Sequence, residues 1–402
     1  MALKILVLNC GSSSVKYKVL EVSARRAEAI VGGVVERVGT PQVTHRIERA
    51  DGRPETLDGR PNDYRGAIEW AVRVALEHEG QIDAVGHRVV HAGEKFRGSV
   101  RVTREVVAAL EECSELAPLH NPPNLAGIAV AQTLLAEAVH VAVFDNALHH
   151  AFDPWVYTYA LPLEYYRKYR VRRYGFHGVA FRSAYEEAGR LLRRNLNRLR
   201  VITLMLGSGC TANARLKGRS VEVSTGFTPL EGLVQSTRSG DVDPAAVLYL
   251  MQKEALTPGQ ASDMLNKRSG LLGISEVSAD LRDIQKAAKT RESARLALQV
   301  FVHRARKYLG AYAAVLGGVD VVIFAGGIGE RAADLRWGIC ERMEYMGLRL
   351  SRAANAAAGG EAVISAPSSK VVVVVVRVDE ERVIARDCYQ IMSRGLERLE
   401  PE

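Results

Sequence analysis

Short aliphatic runs that end in glycine or polar residues recur along the chain, and each has the length of one buried strand. They lie at residues 3–8, 139–144, 201–206, 321–324 and 371–376. Between them, segments 64–79, 121–138 and 292–316 have the pattern of amphipathic helices. Asp63 is a candidate N-cap of the first helix, and Pro122 and Pro123 fall in the first turn of the second. This alternation predicts an α/β protein.

Two of the predicted strands run into similar turns that are rich in glycine and hydroxyl residues. The first reads Asn9-Cys10-Gly11-Ser12, and the second reads Gly207-Ser208-Gly209-Cys210-Thr211. A third glycine turn, Gly326-Gly327-Ile328-Gly329, also follows a strand. Turns of this kind expose backbone N–H groups to an anion. Their repetition predicts a duplicated nucleotide-binding architecture with a cleft between two similar halves.

Composition narrows the class of protein. The 402 residues are 47% hydrophobic and 25% charged, which is typical of globular chains with two or three domains. The longest aliphatic run, 371–376, is far shorter than the roughly 18 residues that a membrane span needs. No secretory signal is visible, so we expect a cytoplasmic protein with no membrane partner. The five cysteines have no paired spacing, so we expect free thiols.

The formal net charge of +8 is concentrated partly in segment 167–200, where arginines interleave with tyrosines. Basic and aromatic residues together can bind single-stranded nucleic acid. The alternative is an ordinary helix and loop surface beside an anionic active site. No nucleic-acid fold signature accompanies the segment, which favours the second interpretation. We therefore expect no nucleic-acid partner.

Several isolated charged residues lie where phosphoryl transfer would use them. That reaction needs cations and N–H donors around the moving group, a metal and positioned substrates. Arg88 lies among the glycines of segment 86–93, and His120 directly precedes a predicted helix. His177 lies in a glycine-flanked loop, and Arg238 follows the loop 226–232. Each also has an ordinary structural interpretation, because lone histidines are mostly structural and exposed arginines pair with surface carboxylates.

Asp145 is the remaining candidate of this kind. It lies just beyond the strand 139–144, where open α/β sheets carry catalytic residues. These segments taken together resemble the acetate kinase family, the short-chain carboxylate kinases of the acetate and sugar kinase, Hsp70 and actin superfamily. The resemblance covers nearly the whole chain, with gap-free matches at 86–96, 116–124, 174–178 and 226–232.

The resemblance implies a fold and an assembly. The expected fold is α/β, with two duplicated actin-like (ribonuclease H-like) domains and an interdomain cleft. The first domain would cover residues 1–147 and be completed by a C-terminal helix at 380–402. The second, at 148–379, would bind the nucleotide and form a homodimer.

The resemblance also implies roles for individual residues. ATP would donate a phosphoryl group to acetate or propionate, giving ADP and an acyl phosphate, with Mg²⁺ or Mn²⁺ as cofactor. The implied catalytic residues are Arg88, Asp145, His177 and Arg238. Phosphate and nucleotide contacts would come from Asn9, Ser12, Ser14, Lys16, Gly207, Ser208, Gly209, Asp280, Arg282, Gly326, Gly327, Ile328, Gly329 and Arg331. The acyl pocket would contain Val90, Leu119, His120, Phe176 and Pro229. Asn9 and Glu380 would hold the metal.

The chain departs from the family's motifs mainly on the nucleotide side. The usual His-Leu-Gly-Asn-Gly is Met205-Leu206-Gly207-Ser208-Gly209 here, and the usual Gly-Glu-Asn ends in Arg331. Three hypotheses follow: an ATP-dependent acetate or propionate kinase, a kinase with another donor such as pyrophosphate, and a catalytically weak nucleotide-binding regulatory protein. The joint presence of the four catalytic candidates with Asn9 and Glu380 favours the first.

Overall fold

A computed structural model describes residues 2–11, 14–38, 40, 43–49, 54–56, 63–118 and 120–397. The chain divides into two units, Met1–His150 together with Asp379–Glu402, and Ala151–Val378. Each unit contains a mixed sheet with helices, so the predicted α/β class is confirmed. None of the helices in the described part of the chain is long and apolar enough to cross a membrane.

The first unit is built on a sheet that contains three parallel neighbouring strands. Its described strands are β1 (Leu3–Cys10), β2 (Ser14–Val22), β3 (Ala27–Glu36), β4 (Thr44–Arg49), β5 (Pro54–Thr56), β6 (Ala84–Val89), β7 (Val100–Arg101) and β8 (Val139–Phe144). Their order is β5-β4-β3-β2-β1-β6-β8-β7. β1, β6 and β8 are parallel, so their carboxyl ends share one edge of the sheet.

Helices cover both faces of this sheet. They are α1 (Tyr64–Glu79), α2 (Arg104–Glu112), α3 (Asn121–Leu134) and α15 (Glu380–Glu397). Leu6 and Leu8 of β1 share a core with Ala67 of α1 and Ala131 of α3. α15 packs on the opposite face, where a Cβ on Gly86 would lie 2.5 Å from Ile384 Cγ2. The sequence prediction for α3 was too long at its C-terminus, because the chain turns at Leu135 toward β8.

The second unit repeats the central part of this topology. Its strands are β9 (Arg200–Leu206), β10 (Cys210–Leu216), β11 (Arg219–Val223), β12 (Val321–Ala325), β13 (Ala362–Val363) and β14 (Val372–Val375). The order β11-β10-β9-β12-β14 corresponds to β3-β2-β1-β6-β8 of the first unit. In both, an antiparallel hairpin is followed by parallel strands. The duplication predicted from the glycine turns is therefore present in the strand order.

The helices of the second unit surround its sheet. They are α4 (Pro154–Tyr157), α5 (Leu163–Tyr169), α6 (Gly178–Leu192), α7 (Pro244–Lys253), α8 (Pro258–Lys267), α9 (Gly270–Ser275), α10 (Leu281–Ala287), α11 (Glu292–Leu316), α12 (Gly326–Arg331), α13 (Ala333–Cys340) and α14 (Arg352–Ala357). Phe301 and Leu309 of α11 pack on Leu204 and Phe324 of the sheet. The prediction of a glycine turn at 326–329 was wrong, because Gly326, at φ 77°, begins α12.

All five cysteines are buried free thiols, as predicted. Burial raises the pKa of the Cys10 thiol to about 12, and burial likewise raises that of Cys210 to about 12. A thiol with so high a pKa carries almost no thiolate at neutral pH, so it is a poor nucleophile and a poor metal ligand. The cysteines therefore behave as small core residues.

Candidate functional site

Arg88 lies at the edge of the first sheet, where β1, β6 and β8 end. Its Nη2 donates to Asp145 Oδ2 at 2.5 Å, and its Nε donates to Asp145 Oδ1 at 3.3 Å. Nη1 donates to Asn9 Oδ1 at 3.2 Å, and Nε lies 3.3 Å from Glu380 Oε2. Four of the predicted site residues therefore form one cluster. Of the glycine-containing segment 86–93, residues 86–89 belong to β6, so Arg88 is carried by a strand.

The charges of this cluster depend on one another. Burial alone would lower the pKa of Arg88, but attraction to Asp145 and Glu380 outweighs it, so the pKa is raised. Burial also raises the pKa of Glu380, and attraction to Arg88 only partly offsets this effect. Glu380 Oε2 is buried and accepts no hydrogen bond from the described residues. An oxygen atom in that state is well suited to bind a cation.

The donor set at this edge fits magnesium. Asn9, Asp145 and Glu380 offer carboxylate and amide oxygens, which are the ligands that hard divalent cations prefer. Within the described ranges, no group of three His, Cys, Asp or Glu side chains is arranged to hold a metal ion by itself. Mg²⁺ typically takes one or two carboxylates and completes its octahedron with water and substrate phosphates. These residues therefore fit such an ion.

The hairpin between β1 and β2 carries the predicted first phosphate loop. Ser14 and Lys16 lie on β2, and Lys16 is paired with Asn9 across the hairpin. The Gly11 N–H donates to the Ser14 carbonyl at 2.8 Å and closes the turn. Ser12 lies outside the described residues. Lys16 is exposed, and its charge acts on Glu380.

Glu380 is the first residue of α15, and its neighbours fix the start of this helix. The Asp379 carboxylate accepts from the Arg382 N–H at 3.1 Å and from Lys18 Nζ at 3.2 Å. Lys18 Nζ also lies 3.5 Å from Glu381 Oε2. Sequence reasoning missed Lys18, and the only local signal was its position two residues beyond Lys16 on the same strand.

Val90, one of the predicted acyl-pocket residues of the first unit, is held by the buried Asn124. Asn124 Oδ1 accepts from the Val90 N–H at 3.1 Å, and Asn124 Nδ2 donates to the Cys10 carbonyl at 2.7 Å. His120 is the N-cap residue of α3. Leu119 lies outside the described residues. Asn124 thus links the loop after β6 to the end of β1, a role that sequence reasoning did not identify.

In the second unit, His177 has a left-handed backbone conformation, φ 61° and ψ 25°, directly before α6. Its Nδ1 is 2.9 Å from Thr211 Oγ1 on β10. A Cβ on Gly209 would lie 3.1 Å from its Cε1, so the glycine leaves room for the imidazole against the turn 207–209. A non-glycine residue in this conformation is strained, and such strain clusters at functional sites. Thr211 fixes the ring, and sequence reasoning had not singled it out.

Gln235 lies between Arg238 and Gly209, the glycine that borders His177. Its Nη1 donates to Gln235 Oε1 at 3.1 Å, and Gln235 Nε2 donates to the Pro229 carbonyl at 2.7 Å. Gln235 Oε1 is also 3.6 Å from where a Cβ on Gly209 would be. Burial lowers the pKa of Arg238, and no carboxylate of the described residues forms an ion pair with it. Gln235 was missed by sequence reasoning.

A cavity of about 860 Å³ in the second unit collects most of the predicted nucleotide residues. Its lining includes Gly207, Ser208, Gly209, Arg238, Asp280, Arg282, Gly327, Ile328 and Arg331. Arg282 and Asp280 form an ion pair, and the hydrogen bonds from Arg282 lower the pKa of Asp280 to about 2. Arg331 lies over Gly327, where an added Cβ would be 2.5 Å from its Nη2. The cavity is therefore lined by three guanidinium groups, those of Arg238, Arg282 and Arg331, and by the turn 207–209.

Two predicted nucleotide residues pack inside the fold and are not part of this lining. A Cβ on Gly326 would lie 2.6 Å from the Leu206 carbonyl, and one on Gly329 would contact Phe324. Both glycines let α12 approach the sheet. Met205 is also buried, opposite Thr211 on β10. Where the family usually has a histidine, this chain therefore places an apolar thioether side chain beside Thr211.

Two arginines of the basic and aromatic segment, Arg172 and Arg173, have structural contacts. The Arg172 guanidinium lies 3.7 Å from the centroid of the Tyr157 ring, and Arg173 Nη2 donates to Glu231 at 2.6 Å. Guanidinium groups engaged in this way are less available to a nucleic-acid backbone.

Fold and site together define a phosphotransferase built on two actin-like α/β units. Residues 4–386 match the sequence model of the acetokinase family. The chain belongs to this family. An acetate kinase from Desulfitobacterium hafniense (strain DSM 10664 / DCB-2) is 45% identical over 401 residues, covering 98% of this chain and 100% of the relative. One from Fervidobacterium nodosum is 42% identical over 408 residues, with 99% and 100% covered.

Solved structures agree with this assignment. Porphyromonas gingivalis acetate kinase superposes with a TM-score of 0.91 at 44% identity, covering 97% of this chain and 100% of that chain. A propionate kinase from Francisella tularensis gives 0.89 at 34% identity, with 96% and 98% covered. The predicted family, the duplicated actin-like fold and the class of enzyme, a phosphotransferase with a carboxyl group as acceptor, are confirmed.

Proposed function

We propose that the protein is a short-chain carboxylate kinase that reversibly transfers a phosphoryl group from ATP to acetate or propionate. The observation that carries this proposal is the Arg88, Asp145, Asn9 and Glu380 cluster, which combines a fixed cation with a buried carboxylate oxygen that is ion-paired with Arg88 but accepts no hydrogen bond from the described residues. The names of the relatives, which are acetate and propionate kinases, support the same substrates.

ATP is the donor that suits the cavity of the second unit. Arg238, Arg282 and Arg331 supply positive charge, and the turn 207–209 supplies backbone near the anion. The volume of about 860 Å³ lies within the range of small-molecule sites. Ser208 takes the place of the family's asparagine in this lining, so one carboxamide that could hydrogen-bond to the phosphates is absent.

Asn9 and Glu380 would hold Mg²⁺ or Mn²⁺, with Asp145 close by. When bound, such an ion neutralises charge that develops on the phosphate oxygens. Asp145 orients Arg88 through two hydrogen bonds, so that this guanidinium keeps one plane while it binds an anion.

The transfer itself moves no proton. A carboxylate oxygen of the acid forms a bond to the γ-phosphorus, and the bond from that phosphorus to the β,γ-bridging oxygen of ADP breaks. Arg88 and Arg238 neutralise the transferred group, and His177 donates a hydrogen bond to it from Nε2. Thr211 orients the imidazole by its contact with Nδ1. The apolar side chains of Val90, Phe176 and Pro229 accommodate the alkyl group of the acid.

A homodimer formed through the larger unit is also proposed. α7 contains no buried residue, although Leu248, Tyr249 and Leu250 lie on it. Leu248 is 66% exposed and Tyr249 is 58% exposed. An apolar helix face of this kind is typical of interfaces. We expect sedimentation to show a dimer for the wild type and a monomer for Leu248→Lys. A monomeric wild type would contradict the proposed dimer. A cytoplasmic location stays a prediction.

Trapping the product tests the function directly. Hydroxylamine converts acyl phosphate to a hydroxamate, whose iron(III) complex is coloured. Purified protein is therefore offered ATP, GTP or pyrophosphate with acetate, propionate or butyrate. We expect signal with ATP and the two shorter acids. Hydroxamate formed only with pyrophosphate would favour the hypothesis of a pyrophosphate-dependent kinase. No signal in any combination, with ADP binding retained in calorimetry, would favour the regulatory protein.

A further inference from the structure

The segment 224–232 carries Pro229, and it lies beside the segment 173–177, which carries Phe176 and His177. Neither segment is helical or part of a strand. Their spacing therefore does not follow from a backbone ladder and must be set by specific contacts.

The Arg173 guanidinium contacts the last residue of β11 and two points of the Pro229 segment. Nη1 donates to the Val223 carbonyl at 3.1 Å and to the Thr225 carbonyl at 3.2 Å. Nη2 donates to Glu231 Oε1 at 2.6 Å. Burial would lower the pKa of Arg173, but attraction to Glu231 outweighs it and raises the pKa, so the guanidinium stays charged. Since Arg173 is four residues from His177, one side chain joins both segments.

Tyr159 completes the attachment from the other side. Its hydroxyl donates to Glu231 Oε2 at 2.5 Å and accepts from the Phe227 N–H at 2.8 Å. The turn that contains Pro229 is therefore held at both ends, at 227 and at 231. A Cβ on Gly226 would lie 1.7 Å from Glu231 Oε2, so only glycine permits this close approach.

The Phe176 side is tied to the same turn by its backbone. The Tyr174 N–H donates to the Gly226 carbonyl at 3.1 Å, and the Phe176 N–H donates to Thr225 Oγ1 at 3.0 Å. The group Arg173, Glu231 and Tyr159, here called the Arg173 clamp, thus controls how far Pro229 can move from Phe176.

We propose that the Arg173 clamp determines which carboxylic acids are accepted, by fixing Pro229 relative to Phe176. This inference rests on the proposed function, in which both residues contact the alkyl group of the acid. A rigid apolar pocket discriminates between acids that differ by one methylene by about 10- to 200-fold in kcat/KM. A pocket whose lining residues can move discriminates less. Arg173, Glu231 and Tyr159 are positioning residues, because they act through Pro229.

The test compares kcat and KM for acetate, propionate and butyrate in the wild type, Glu231→Gln and Tyr159→Phe. Glu231→Gln removes the ion pair at nearly constant volume. Tyr159→Phe leaves the ion pair intact and frees the Phe227 end of the turn. For both variants we expect kcat/KM for the longer acids to rise about 10-fold relative to acetate, with the KM for ATP unchanged.

Glu69→Gln is the matched control, because it removes another Arg–Glu contact, Arg65 Nε to Glu69 Oε1 at 2.8 Å, on the exposed surface of α1. It should leave all ratios at wild-type values. Circular dichroism monitors folding, and Tyr159→Phe carries the test if Glu231→Gln does not fold. If kcat/KM fell by the same factor for every acid, the role of the clamp would be merely structural, and this result would overturn the inference. A wild type that phosphorylates none of the acids would instead remove the proposed function, and the inference with it.

Discussion

The Asp145 carboxylate holds the Arg88 guanidinium by two hydrogen bonds, to Nη2 at 2.5 Å and to Nε at 3.3 Å. Asp145 is only 1% exposed, so water does not compete for these bonds. Arg88 Nη1 is occupied by Asn9. The guanidinium is thereby fixed in one orientation before any anion arrives, which removes reorganisation from the transfer step.

We therefore expect Arg88→Lys to lower kcat by about 10²-fold or more, because an ammonium cannot reproduce the planar set of contacts. Steady-state formation of acyl hydroxamate measures the loss. Arg97→Lys, at an exposed position in the same unit, is the control and should match the wild type. Wild-type turnover in Arg88→Lys would show that the fixed plane is not needed.

Arg238→Ala should affect catalysis and leave the fold intact. The Arg238 side chain donates a hydrogen bond to Gln235 and forms no ion pair with a described carboxylate, so its loss leaves no buried charge unpaired. We expect kcat to fall by about 10²- to 10³-fold. The melting temperature should stay within a few degrees of the wild type, roughly the effect of an ordinary surface substitution. An unchanged kcat would contradict the assignment of Arg238 as an anion-binding residue.

Elements with a strong local signal could be predicted from the sequence. The helix 64–79 is confirmed together with its cap, where the Asp63 side chain accepts from the Gly66 N–H. The long helix 292–316 is confirmed at both ends. In both cases the amphipathic pattern lies within the helix, and the Asp63 cap directly precedes the first one, so no distant information is needed.

Two of the errors have a common cause, which is that a glycine can make room for a residue that is distant in the sequence. Gly86 was considered only as a neighbour of Arg88, but it lies in β6 and makes room for Ile384 and Cys388 of α15. Gly326 was interpreted as a turn, but it lets α12 approach the Leu206 carbonyl. Thr211 was missed for a related reason, because its partner His177 lies on another segment, whereas Gln235 contacts Pro229 and Arg238, which are close to it in sequence.

The altered turn 207–209 predicts weaker nucleotide binding that can be restored. Ser208 lines the nucleotide cavity, whereas Met205 is buried on β9. We expect Met205→His with Ser208→Asn to tighten ADP binding by about 2- to 10-fold, the effect of one or two hydrogen bonds. Calorimetry with ADP measures the change. Ser368→Asn, at an exposed position, should have no effect. No gain in affinity would show that Arg331 and its neighbours already suffice.

Buried histidines predict an acid-sensitive fold. His140 Nε2 donates to the Leu135 carbonyl, so its Nδ1 must accept from His87 Nε2 at 3.0 Å. Burial lowers the pKa of His87 and of His140, and it lowers that of His91 to about 4. Since unfolding returns each pKa to near 6.5, the unfolded chain binds more protons below that pH. As far as these histidines are concerned, the free energy of unfolding should therefore be nearly constant between about pH 7 and pH 8 and fall as the pH drops below 6.5.

Urea unfolding between pH 8 and pH 5 measures this dependence. His87→Gln keeps a donor toward His140 and removes one titrating group. We expect its slope to be smaller than that of the wild type by about 1.4 kcal/mol per pH unit. His303→Gln, at an exposed position on α11, should retain the wild-type slope. Equal slopes for all three proteins would mean that the His87 and His140 pair does not control acid stability.

The contact between Gly86 and α15 links the fold to the proposed metal site. A Cβ at Gly86 would lie 2.5 Å from Ile384 Cγ2 and 2.8 Å from Cys388 Sγ, so Gly86→Ala must push α15 away from β6. We expect a loss of about 1–3 kcal/mol in the free energy of unfolding, the usual effect of overpacking. Glu380 begins this helix and would move with it, so the affinity for Mn²⁺, measured by electron paramagnetic resonance, should also fall.

Gly98→Ala is the control, because nothing lies within 4 Å of a Cβ at that position. A second change, Ile384→Ala, removes the nearest obstructing atom and should partly restore Mn²⁺ affinity in Gly86→Ala, although it opens space elsewhere in the core. If Gly86→Ala lost stability but bound Mn²⁺ as tightly as the wild type, the position of Glu380 would not depend on the packing of α15. The metal would then be held by residues at the sheet edge alone.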